Sequence, residues 1–88
     1  MTRAEAEAAQ RASAARGALL IWFVSGSHPD HPGKMIAWAK AADPYGGTRV
    51  PGVLVADSLD QLRAMLPPGL TRRDRSSMTA SDVLETWD

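Results

Sequence analysis

Residues 18–24, ALLIWFV, constrain this chain more than any other stretch. The run is wholly apolar, rich in β-branched and aromatic side chains, and closed by Ser25-Gly26-Ser27. It is too short for a stable buried helix and reads as a strand. Alternation puts Leu20, Trp22 and Val24 on one side and Leu19, Ile21 and Phe23 on the other. Both sets are apolar, the pattern of a strand covered on two faces. Whatever the fold, two layers of cover have to be found for it.

The chain has few means of supplying them. Its 88 residues make one domain. A chain of this length hides only about 60% of its unfolded surface, so its stability margin is small. Cysteine is absent, which removes disulfides and thiolate metal sites. Tight packing or self-association is left as support. Basic and acidic residues balance at ten each, so there is no global cationic signal for nucleic acid. Arginine far outnumbers lysine and alanine is abundant, a coding bias that suggests a GC-rich bacterial source.

Residues 1–17 superficially suggest a leader before the apolar run. Glu5 and Glu7 stand where a basic region belongs, and the run is far below the ~20 apolar residues a bilayer span needs. The reading is therefore no export, no membrane insertion and a cytoplasmic location. Residues 2–16 are strong helix formers and Gly17 is a plausible stop, but the apolar positions are all alanine. Propensity without burial leaves such a helix marginal, so residues 1–17 are expected to be a frayed or weakly docked arm ahead of a domain spanning 18–88.

Within that domain residues 25–33 form a loop punctuated by two prolines and two glycines. Residues 34–42, KMIAWAKAA, fit a strand or a helix, and strand is preferred. Residues 43–52 are turn-rich, and residues 53–56 make a short buried strand. Ser58 and Gln61 then match a capping box, with Asp57 as a competing cap. Leu59, Leu62, Met65 and Leu66 follow at helical spacing until Pro67-Pro68-Gly69 stops the helix. Residues 83–87, VLETW, read as a last strand. The expected fold is α+β: a small mixed sheet of about four strands, in the order β-β-β-α-β, with one packed helix and an optional alanine-rich helix in front. The first two strands are expected to form an antiparallel hairpin, and the strand–helix–strand unit a right-handed parallel crossover. One helix covers one face, so the second face calls for a homodimer or another protein. If residues 34–42 were instead helical, one chain would cover both.

Candidate chemistry is sparse, and no cofactor is implied. Gly26 and Gly33-Lys34 have the wrong spacing for a phosphate loop, and prolines interrupt the amides that would cradle a phosphate. His28, Asp30 and His31 are ligand types set close together, weak candidates for a metal that wants three or four fixed ligands. Arg72, Arg73 and Arg75, with Arg63 on the helix and Thr71 beside them, are the one basic cluster and the candidates for anion or nucleic-acid binding. The acidic strand downstream is the alternative use for those charges. Trp22, Phe23 and Trp38 are candidate interface residues, since aromatic side chains dominate binding hot spots. No nucleophile, base and orienter are spaced to suggest a triad, so an enzyme is the least supported class.

VADSLDQLRAMLPPGLTRRDR followed by VLETW resembles short uncharacterised bacterial proteins that share a capped helix, a Leu-Pro-Pro-Gly-Leu-Thr-Arg stop and a terminal Val-x-x-x-Trp strand. The match runs over residues 53–87 and more loosely over LLIWF and PGK. It implies a strand-rich domain and brings no activity, substrate or catalytic residue. It points to the stop loop with Leu70, Thr71 and Arg72 as the place for a shared site. The leading expectation is a small protein-interaction or regulatory module that self-associates; the alternative is an anion or nucleic-acid binder acting through the loop from Arg72 to Arg75.

Overall fold

A computed structural model describes residues 1–26, 28–42, 47–73 and 83–88. The elements in chain order are α1 (Arg3–Ala15), β1 (Leu19–Ser25), β2 (Met35–Ala42), β3 (Thr48–Arg49), β4 (Leu54–Ala56), α2 (Leu59–Met65), β5 (Arg72–Arg73) and β6 (Val83–Trp87). The fold is α+β, with more strands than the sequence suggested. Residues 34–42 are strand in all but their first position, and β2 forms the expected hairpin with β1.

The sheet runs β3-β2-β1-β6-β5, and β4 also pairs with β2. Every described pairing is antiparallel, so the expected mixed sheet is not found. β4 and β6 run in opposite directions on opposite sides of the hairpin, so the chain from β4 through α2 to β6 is not a parallel crossover. β3 and β4 lie along the same edge of β2. Lys40 stands opposite Arg49 and Ala37 opposite Leu54. Over that interval the edge advances two residues more than β2, and the surplus is turned out at Pro51-Gly52. Proline has no amide to pair, and Gly52 takes a φ of +87° that other residues avoid. The N-terminal ammonium of Met1 donates to the Val53 carbonyl at 3.0 Å beside this kink.

The two sides of the hairpin differ in size. Leu20, Trp22 and Val24 of β1 face Ala41, Ala39 and Ala37 of β2, and all six are buried. Large residues on one strand beside methyls on the next let helices come close. Ala6 of α1, Leu62 of α2 and Leu66 at the end of α2 join the same hydrophobic cluster as these residues, so both helices cover this one face.

The arm of residues 1–17 is thus a docked helix. Ala6, Ala9, Gln10 and Ser13 recur at helical spacing on its inner face. The indole nitrogen of Trp22, which has 0% exposure, donates to Gln10 Oε1 at 2.9 Å. A polar side chain in the alanine face thereby satisfies the donor that burying the tryptophan would orphan. A capping box of Thr2 and Glu5 begins the helix, and Gly17 at φ +70° ends it. Replacing Ala6 by Leu should destabilise the protein by about 1–3 kcal/mol in urea unfolding through overpacking. The same change at exposed Ala8 should be close to neutral. Equal effects at the two positions would mean that α1 does not pack on the sheet.

Candidate binding face

With both described helices on one side, no helix among the described residues covers the outward side chains on the other side of the sheet. Along β1 these are Leu19, Ile21 and Phe23; along β2, Trp38 and Lys40; at the edge, Arg49; and on the far side, Thr86 and Arg73. Leu19 is 50% exposed, and Leu84, at the bulge where β6 meets β1, is 53% exposed. Ile21, Phe23 and Trp38 are half-buried, but the end of this face is closed: Ser25, Ile36 and Val83, neighbours across β1, β2 and β6, are all at 1–2% exposure, so the open part is the stretch from Leu19 to Phe23 and its neighbours.

Phe23 and Trp38 are cross-strand partners, and their rings stack with centroids 5.7 Å apart and planes 17° apart. The Arg49 guanidinium lies 5.8 Å from the Trp38 ring on the next strand. Three flat groups thus form a ladder across β1, β2 and β3. Among the described residues neither Lys40 nor Arg49 is paired with a carboxylate.

The predicted arginine cluster is committed elsewhere. Arg63 grips Glu85 with two hydrogen bonds, Nε to Oε1 at 3.0 Å and Nη2 to Oε2 at 2.7 Å. Trp87 Nε1 donates to Glu85 Oε1 at 2.9 Å, and Arg72 approaches Oε2 at 3.9 Å. Arg73 is held by Asp88 at 2.7 Å. Thr71 takes the Asp88 amide on its carbonyl at 3.1 Å. Arg75 lies outside the described residues. The described members of the cluster therefore fasten α2 and β5 to β6 and to Asp88. Glu85 is 6% exposed, and the Arg63 pair, with help from Trp87 and Arg72, holds its carboxyl below the usual carboxylate range against the effect of burial.

The histidine loop does not assemble a metal site. His28 Nδ1 accepts from the Asp30 backbone amide at 3.1 Å, and the His28 and His31 rings sit 5.3 Å apart. Among the described residues no three ligand-type side chains gather. Of the interface candidates, Trp22 is core and Phe23 and Trp38 share the open face. Lys40 and Arg49 were missed from sequence. Lys40 was legible, since the strand alternation Ile36, Trp38, Lys40 puts all three on one side; Arg49 carried no signal, because its place depends on a non-local pairing.

A second concavity, of about 550 Å³, lies between β4 and α2 and is lined by Lys34, Val55, Asp57, Gln61 and Met65. Its charges close on each other, Lys34 against Asp57. No helix among the described residues is long and apolar enough to cross a membrane. No family model, curated protein or solved structure matches this chain.

A carboxylate whose folded value is depressed lends stability above its unfolded value and loses it as pH falls through the folded one. The contribution of Glu85 should be complete above its ordinary value of 4.5 and disappear below it. Glu85→Gln should cost about 2 kcal/mol at pH 7 and flatten the fall in melting temperature on acidification. An acid limb as steep as that of the parent would contradict this.

Proposed function

We propose that this protein is a binding module whose working surface is the helix-free face of the sheet. The reading rests on one observation: both helices pack over Leu20, Trp22 and Val24, which leaves the Phe23–Trp38 stack and Leu19 facing outward. Apolar side chains collected on one open surface of a small domain mark an interaction site. The role is recognition rather than catalysis, and a cytoplasmic location accords with the lack of cysteine. The short bacterial proteins that share the VADSLDQLRAMLPPGLTR pattern are proposed to share this surface.

Self-association through the same face is the competing reading, favoured by the exposure of Leu19 and Leu84. A face-to-face homodimer would bury Leu19, which stands on this face with Ile21 and Phe23.

The double substitution Phe23→Thr and Trp38→Thr keeps β-forming side chains while removing the stack. It should change stability by no more than about 1 kcal/mol in urea unfolding, the scale of an aromatic pair at a surface. Trp22→Ala should cost about 3–5 kcal/mol. A loss at Phe23 and Trp38 as large as at Trp22 would show that the face is structural core and overturn the proposal.

A further inference from the structure

Charge distinguishes among the occupants of the open face. The chain is neutral overall, yet the charged residues of its described strands are sorted by side. Glu85 lies on the covered side, where Arg63 and Arg72 neutralise it. The outward strand positions carry Lys40, Arg49 and Arg73 and, among the described residues, no acidic side chain. Asp88, just past the end of β6, answers Arg73 alone. A second copy packed face to face would bring cations against cations. The face instead suits an anion that also presents flat apolar surfaces.

The ladder shows where such a group fits. Trp38 has Phe23 on one side and the Arg49 guanidinium near its ring. Phe23 stands opposite Thr86 on β6, and Thr86 stands opposite Arg73 on β5. Thr86 is small, so Phe23 has no planar neighbour on that strand among the described residues. The next rung of the ladder is missing, above Thr86 and between an aromatic ring and an arginine.

We propose that the occupant is a single strand of nucleic acid, with one base stacked on Phe23 over Thr86 and its phosphates running past Lys40 and Arg49. This inference rests on the reading of the helix-free face as the working surface. Sequence-tolerant single-strand binding combines these two elements, aromatic side chains that stack on bases and cations that follow the backbone. The contacts invoked are to base faces and phosphates, which RNA and DNA share, so strands of both kinds are expected to bind.

The test uses the full chain and fluorescently labelled oligothymidylate and oligouridylate of about ten nucleotides, a length within single-strand site sizes. Anisotropy is followed from low to moderate salt. Both strands should bind, and a duplex of equal length should bind more weakly. Phe23→Thr should weaken binding about tenfold or more, the scale of one lost base–aromatic stack. Thr86→Trp, which fills the empty rung and leaves every charge in place, should do the same. Lys40→Ala and Arg49→Ala should each lower the slope of log affinity against log salt by about 0.7, the loss of one single-strand phosphate contact. Circular dichroism confirms that each variant is folded.

Absence of any anisotropy change at low salt, with folded Phe23 and Trp38 variants, would overturn the nucleic-acid inference and leave the open face standing. Equal competition by polyglutamate would overturn it in favour of an acidic protein. Light scattering that shows a dimer abolished by Phe23→Thr would overturn it in favour of a second copy. Unfolding of the Phe23 and Trp38 variants would overturn the face reading itself.

Discussion

The burial of Trp22 is the constraint on which the rest of the structure depends. An indole at 0% exposure needs a flat neighbour on its own strand layer, cover above and a partner for its N–H. Ala39 opposite it supplies the first, the docked helices the second and Gln10 the third. The alanines at 37, 39 and 41 repeat this relation along β2 and create a trough beside the larger side chains of β1. Helices settle into that trough because it returns the most buried apolar area. Among the described residues the other side of β2 presents Trp38 and Lys40 where this side has alanines. The single-sided cover is therefore a consequence of side-chain volume and not of helix supply alone.

Charge follows the same division. Glu85 sits near the edge of the covered layer, where a lone carboxylate would be costly, and two hydrogen bonds from Arg63 with one from Trp87 make it tolerable. Of the arginines that look from sequence like a binding cluster, Arg63 is committed to that task, Arg72 approaches it from 3.9 Å and Arg73 pairs instead with Asp88. On the open face Lys40 of β2 and Arg49 of β3 have no carboxylate partner among the described residues, while Arg73 of β5 is answered by Asp88. Among the described strand residues, the carboxylate Glu85 stands at the back of the sheet and Asp88 at its margin, which leaves Lys40 and Arg49 on the helix-free face.

Much of the architecture was legible. The two-sided apolar pattern of β1, the caps and stop of α2, and the strand character of β2 follow from local side-chain chemistry. What sequence could not give was the relation between elements. Whether α1 docks turned on one glutamine meeting one indole across the fold, a contact with no local signature. The direction of β6 depended on which edge it joined, and a chain stretch long enough for a crossover is also long enough to avoid one. Of the site, Phe23 and Trp38 were named from type alone, Trp22 was misgrouped with them because all are aromatic, and Arg49 was invisible because two-residue edge strands carry no pattern.

The central claim is that one side of the sheet is covered and the other is open to a ligand. Paramagnetic line broadening by a soluble gadolinium chelate reads this directly. The account predicts strong attenuation of the Leu19 and Leu84 methyl signals and of the Trp38 ring, with the Trp22 indole N–H spared. Equal protection of Trp38 and Trp22 would contradict it.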